Sequence, residues 1–339
     1  MIIKLKTSER FLKLSRRGAL FAIAIVSAIL SSTAFAGDNR KLPKIGELWF
    51  PDPNIVAPWR DTFRQGLSEL GYVDGRNVTI VTRYARGDAS RFPALLAELI
   101  AQNVDVIIVS PKAVQEAKRA TRTIPIVVAG LIDPVAEGIA ISLARPGGNF
   151  TGTSWASPDA SGKRLQLAME LLPELRRVAL LFDASDKGAL VEVQGTRAAA
   201  ASIKFAIREF GVRDSRDFDR VFAEISDDGP PALIVTHSPL TVQNRDRVLR
   251  FAAAHRLPVI TDSRDYTEKG ALLSYGPHPY KGFKRGAYYV DRILKGAKPG
   301  DLPIEQPTVF ELIVNQKTAK ALGIKIPESI LLRADKVIR

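Results

Sequence analysis

The side chains best suited to chemistry in this 339-residue sequence are His237, Ser238 and Asp262, with Ser110, Asp133 and Asp183 elsewhere along the chain. An imidazole, a hydroxyl and a carboxylate are the parts of a nucleophilic triad. Their arrangement argues against one. His237 and Ser238 are adjacent, and neighbours on an extended segment point to opposite sides. No Gly-x-Ser-x-Gly elbow occurs. The chain has no cysteine, which excludes thiolate nucleophiles, disulfides, thiol-based zinc sites and a lipid-anchored N-terminal Cys. Its three histidines, His237, His255 and His278, lie eighteen and twenty-three residues apart, so no His-Glu-x-x-His set can be assembled. The sequence therefore predicts neither an enzyme nor a metal site, and no cofactor. What remains is a binding site of hydroxyls, carboxylates and an imidazole.

The first thirty-six residues are set aside before any fold argument. Lys4, Lys6, Arg10, Lys13, Arg16 and Arg17 precede an apolar run from Ala19 to Leu30, and Ala34-Phe35-Ala36 with Gly37 behind it forms an A-x-A site. That order predicts a cleaved secretory signal peptide over 1–36, its apolar run too short to span a bilayer. Arg16-Arg17 leaves the Sec and twin-arginine routes both open. The segment holds six basic residues against Glu9, so its removal takes the formal charge from +13 to +8. The remaining basic residues alternate with acids, as in Arg245-Asp246-Arg247, the pattern of a solvated surface. No nucleic-acid partner is expected, and a signal peptide stands where a regulator would carry its helix-turn-helix.

Strand and helix signals then alternate. Lys44 to Phe50 reads as a buried strand, and Trp59, Phe63, Leu67 and Leu70 form one helical face closed by Gly71. Val78 to Arg83 is a strand. Ser90 is the expected cap of a helix carrying Leu95, Leu96, Leu99 and Ile100. Val104 to Val109 is nearly continuous in β-branched residues, as in a central parallel strand; a helix over 111–121 and a strand over 124–128 follow. Arg145-Pro146-Gly147-Gly148-Asn149 is the densest turn signal and is expected to join two units. Beyond it the predicted helices are 159–172, 188–203, 215–225 and 244–255. The predicted strands are 177–182, 205–212, 232–236 and 257–261. A strand over 272–275, a helix over 281–294 and a strand over 310–314 complete a pattern of two α/β units.

Several segments carry a resemblance. They are Leu67-x-x-Leu70-Gly71-Tyr72-x-x-Gly75-x-Asn77-Val78, then Ile124-Pro125-Ile126-Val127 with Asp133-Pro134-Val135. Ser142-Leu143-Ala144-Arg145-Pro146-Gly147-Gly148-Asn149 with Thr151-Gly152 comes next, and Gly162-Lys163-Arg164-Leu165 follows with Leu171-Leu172-Pro173. The tail adds Ile293-Leu294-Lys295-Gly296-Ala297-Lys298-Pro299, Leu302-Pro303-Ile304-Glu305-Gln306-Pro307 and Asn315-x-x-Thr318-Ala319-x-x-Leu322-Gly323. In this order, across 44–337, they resemble the substrate-binding component of bacterial ABC uptake systems, the branch with tryptophan-binding and related aromatic amino-acid-binding proteins. The resemblance implies an α/β protein of two doubly wound parallel-sheet lobes joined by a hinge, the type I periplasmic-binding fold. The expected N-terminal lobe is 44–153 plus 277–305, and the expected C-terminal lobe is 154–274 plus 308–339.

In such a fold the loops after the strand C-termini face one cleft. The expected ligand-binding residues are Phe50, Asn54, Ser110, Ala129 and Asp133 from the first lobe, and Ser154, Asp183, His237, Ser238, Asp262 and Tyr266 from the hinge and second lobe. Ser110 precedes Pro111 as a carboxylate cradle or a simple helix cap. Asp133 is a ligand contact or a cap. Phe50 and Tyr266 are expected to sandwich an apolar or aromatic ligand. Amino-acid-binding relatives tend to carry Asp-Asn where this chain has His237-Ser238, so Asp262 is the expected partner of an α-ammonium. The implied function is an exported, periplasmic, monomeric solute-binding protein. It would take a small carboxylate-bearing ligand to an inner-membrane ABC permease; the alternative is a periplasmic sensor domain signalling to a receptor.

Overall fold

A computed structural model describes residues 41–131, 133–155 and 160–339, of which 42–339 form one compact unit. The expected signal peptide, and Asp159 at the start of an expected helix, lie outside the described residues.

Two sheets carry the fold. The first is built from β1 (Lys44–Trp49), β2 (Thr79–Tyr84), β3 (Val106–Val109), β4 (Ile126–Leu131) and β5 (Phe150–Ser154), in the spatial order β2-β1-β3-β4-β5 and parallel throughout. β3 is wholly buried, which accounts for its unbroken Val-Ile-Ile-Val sequence. The second contains β6 (Arg177–Asp183), β7 (Ala206–Val212), β8 (Leu233–Val235), β9 (Val259–Thr261), β10 (Leu273–Pro277), β11 (Phe310–Asn315) and β12 (Lys336–Ile338). Its order is β12-β11-β10-β9-β8-β6-β7. It is parallel except for the antiparallel pair β10–β11, which the sequence pattern did not predict.

The helix Pro53–Glu69 buries Val56, Trp59, Phe63 and Leu67 on one face, while Leu70 ends it and is exposed. Gly71, at φ 91°, follows the helix in the left-handed region that favours glycine. The long helix Pro279–Leu294 comes after β10 of the second sheet but packs against Pro53–Glu69 and β4 of the first layer. The approach is close: a Cβ on Gly66 would stand 2.8 Å from that of Ala287. β11 then rejoins the second sheet. The chain thus passes between the layers after β5, after β10 and before β11, and a parallel bridge from Thr153 to Glu305 ties two of these passages together.

Three local expectations are corrected. The turn at Gly147-Gly148 feeds β5, the edge strand of the first sheet, so it lies within one layer instead of between two. Ser90 is not the cap. Asp88 accepts from the Ser90 N–H and opens a short 3₁₀ turn before the helix Phe92–Ala101. The expected helix over 111–121 is a 3₁₀ turn, Pro111–Ala113, followed by only seven helical residues, Val114–Ala120.

Candidate functional site: an aromatic cavity between the sheets

Trp49 ends β1, Trp59 lies in the second turn of the helix Pro53–Glu69, and Trp155 follows β5. These are all three tryptophans of the chain, and all three line one cavity between the sheets. Phe283 joins them, its ring stacked on that of Trp59 at 5.4 Å and 5°. Ser110 after β3, Ala129 of β4, and His237 and Pro239 after β8 complete most of the wall. The cavity therefore sits at the C-terminal strand ends of both sheets, where an open α/β layer binds its ligand. The space enclosed is about 20 Å³, room for a single water. Anything larger needs the layers to part.

Few polar contacts hold the layers together across this cavity. The Trp155 indole N–H donates to Asp262 at 2.8 Å and the Trp59 indole to Asp265 at 3.0 Å. Tyr280 also donates to Asp265, at 3.3 Å. The Asp52 N–H donates to Gln243 at 2.8 Å. Lys112, in the turn after β3, pairs with buried Asp183 at the end of β6 and donates to Ser185 at 2.9 Å.

Behind the indoles lies a buried charge cluster. His237 stacks on Trp155 at 4.7 Å and 18°, and its Nδ1 is 3.5 Å from Asp262. Its backbone N–H donates to Glu192 at 3.3 Å, and Glu192 pairs with Arg164 at 3.1 Å. Burial alone pulls the imidazole pKa down, but the charges of Asp262, Glu192 and Asp186 outweigh it, and the net direction is up. Burial likewise opposes ionisation of Asp262, yet His237, Arg164 and the Trp155 N–H carry its carboxyl below the usual range. Glu192 goes the other way: burial raises it against the pull of Arg164.

A second, larger cavity of about 250 Å³ opens among the three connecting passages, lined by Ser154, Trp155, His278, Lys281, Arg285 and Glu305 among others. Trp155 alone of the tryptophans borders both. Among the described residues no group of acids and histidines could hold a metal ion, and no helix is long and apolar enough to cross a membrane.

The structure brings Ser110, Ala129 and His237 into the aromatic cavity and places Asp262 directly behind it. The other expected residues are elsewhere. Phe50 is buried beside Phe92, its N–H donating to the Ser110 hydroxyl oxygen. Tyr266 is buried too, its hydroxyl donating to the Thr241 carbonyl at 2.6 Å. Neither ring lines the aromatic cavity, so they form no sandwich there. Asn54 is exposed in the first turn of its helix. Asp133 accepts from the N–H groups of Val135 and Ala136, capping its own turn. Asp183 is engaged by Lys112. Ser154 lines the passage cavity and its N–H donates to Glu305. Ser238 forms a reciprocal capping box with Thr241. Ser110 stands before the 3₁₀ turn Pro111–Ala113 without a side-chain cap bond. Sequence reasoning missed all three tryptophans, Phe283 and Lys112.

Comparison with known proteins is consistent with this geometry. The profile of the ABC transporter substrate binding protein family matches residues 56–338. A tyrosine-binding protein of Clostridioides difficile is 27% identical over 291 residues, 85% of this chain and 83% of that protein. An ABC domain from Streptococcus pneumoniae in complex with L-Trp is 25% identical, with TM-score 0.82 over 88% of this chain and 100% of the other. The ligand-free, open structure of a substrate-binding protein with adhesive properties from Clostridium difficile is 27% identical but reaches only TM-score 0.62, over 88% and 99%. At 13% identity and TM-score 0.57, over 75% of this chain and 83% of the other, a leucine-binding protein from Thermotoga maritima shares the type I periplasmic-binding fold. The chain belongs to the ABC transporter substrate binding protein family, a family of binding components and not of enzymes, and an ABC permease is the implied partner.

Proposed function

We propose that this substrate-binding protein is exported and holds a small aromatic carboxylate, an aromatic amino acid or a simpler aromatic acid, between its two sheets for delivery to the permease of an ABC uptake system. The observation that carries the proposal is the convergence of all three tryptophans and Phe283 on one cavity. Trp49, Trp59 and Phe283 are also buried members of the hydrophobic core, whereas Trp155 belongs to neither core cluster and meets them only at this cavity. Burying a ring there contributes ~1.5–3 kcal/mol from area, and face or edge contacts add ~0.5–1.5 kcal/mol per aromatic partner. The tyrosine-binding relative and the L-Trp complex support an aromatic ligand. The few polar contacts across the cavity suit a hinge that closes on its ligand and changes the surface shown to a membrane partner.

Calorimetric titration against aromatic amino acids, aromatic carboxylates, leucine, glucose and myo-inositol tests the reading. An aromatic compound should bind tightest; tighter binding of leucine or a sugar refutes it. Export is tested separately. Intact mass of the periplasmic protein should begin at Gly37, and full-length protein confined to the cytoplasm contradicts the proposed cleavage.

A further inference from the structure

The most informative feature of the aromatic cavity is what its carboxylates are already doing. Each indole N–H is tied to one: Trp49 to Glu47 at 3.2 Å, Trp59 to Asp265 at 3.0 Å, Trp155 to Asp262 at 2.8 Å. Glu47 also receives two bonds from Arg64 and one from Thr82. Asp265 receives Tyr280, and Asp262 faces the His237 ring. No carboxylate lines the cavity itself among the described residues. Its polar wall is formed by the Ser110 hydroxyl and the His237 imidazole. Ser110 accepts from the Phe50 N–H, which leaves its own O–H to donate. With Nδ1 turned to Asp262, the edge of the His237 ring left for a ligand is Nε2.

From this arrangement we propose that the cavity takes an aromatic carboxylate without an α-ammonium, and that His237 is the residue that selects it. The inference rests on the aromatic-cavity reading above and narrows it. A carboxylate entering between the indoles meets two donors, Ser110 O–H and His237 Nε2–H, the second charge-assisted when the ring is protonated. An α-ammonium entering the same space has no free acceptor of opposite charge. It must pull an indole off its aspartate or lie unpaired beside an imidazolium, and both outcomes cost binding. The groups that face His237 are Asp262 from the loop after β9, Glu192 and Asp186 at the helix Lys187–Ser202, and Arg164 reaching Glu192 from the helix Ala160–Leu171. The acids hold the imidazole pKa above its ordinary value against the opposing effect of burial, which favours the donor form of the ring.

The test pairs each acid with its amino-acid counterpart on the full mature protein by titration calorimetry: 3-phenylpropionate with L-phenylalanine, 3-(4-hydroxyphenyl)propionate with L-tyrosine, indole-3-propionate with L-tryptophan. Each acid should bind at least about 10-fold tighter than its partner, the factor for one charged hydrogen bond. His237→Gln should weaken the best acid by a similar factor while leaving its neutral amide unchanged, a difference that loss of packing alone would not produce. Acid binding by the wild type should also weaken as pH rises through the elevated imidazole pKa, and the Gln variant should lose that slope. An amino acid that binds as tightly as its acid overturns the inference while leaving the aromatic cavity intact. Should none of the six compounds bind, the aromatic-cavity reading falls and this inference falls with it.

Discussion

Replacing Lys112 with methionine should open the protein without unfolding it. Lys112 belongs to the first layer, and its ammonium pairs with Asp183 of the second. The aspartate side chain is fully buried and the lysine side chain 11% exposed. Removing one partner of such a pair leaves an uncompensated buried charge, typically ~3–5 kcal/mol. Asp183 keeps two bonds from Ser185, at 2.9 Å from its N–H and 2.6 Å from its hydroxyl, so the lower figure applies. The charge need not stay buried, because parting the layers admits water to it. The cost therefore falls on closure: about 3 kcal/mol, or roughly a 100-fold shift toward the open form. Small-angle scattering of Lys112→Met should show a larger radius of gyration than the wild type, and a cavity ligand should bind up to about 100-fold more weakly. The urea midpoint should move little, since neither core is touched. Adding Asp183→Asn should restore much of the closure, because no buried charge then remains. An unchanged radius combined with a several-kcal/mol loss of folding stability would mean that the pair serves the fold and not closure.

Two further outcomes are expected. Ser238→Ala breaks the capping box with Thr241 and should cost about 1 kcal/mol in urea unfolding, with ligand affinity unchanged because the Ser238 side chain is committed to the helix. Burial, helped by Asp186, pushes the Glu137 carboxyl up to about 7 from an ordinary 4.5. The fold keeps the proton while the unfolded chain has lost it, so about 3 kcal/mol of stability present below pH 4.5 should disappear as pH rises through 7. Glu137→Gln should flatten that slope, as unfolding free energies measured at pH 5 and pH 8 will show.

Much of the architecture was legible because the strands are short, apolar and regularly interrupted by helical periodicity. The central Val106–Val109 strand and the Trp59–Phe63–Leu67 face are the clearest cases. The site was harder to read for identifiable reasons. β1 is buried on both faces, so its alternation carries no polarity signal, and choosing Phe50 in place of Trp49 is a one-residue error that points to the other side. Tyr266 shares a short helix with Asp265, the acceptor of the Trp59 indole, but points away from it, since neighbours on a helix diverge by about 100°. Trp49, Trp59 and Trp155 lie on a strand, a helix and a connecting segment, and no local pattern links them; only the topology does. Phe283 is contributed by a helix that follows β10 of the second sheet yet packs on the first. The antiparallel β10–β11 pair was invisible for a similar reason, since strand direction is set by the return path and not by strand composition. One signal was available. A chain with only three tryptophans, two of them placed at strand ends, offers them as candidates for the cleft.

An aromatic ligand held among the three indoles between the sheets, as proposed, should perturb every one of them. Protein labelled with 5-fluorotryptophan should give three fluorine resonances, one each for Trp49, Trp59 and Trp155, assigned by single Trp→Phe variants. Titration with the tightest binder of the aromatic panel should shift all three, because each ring borders the same cavity. A shift confined to Trp155 would place the ligand in the cavity among the connecting passages, and three unmoved resonances at saturation would place it away from both; either result contradicts binding among the three indoles.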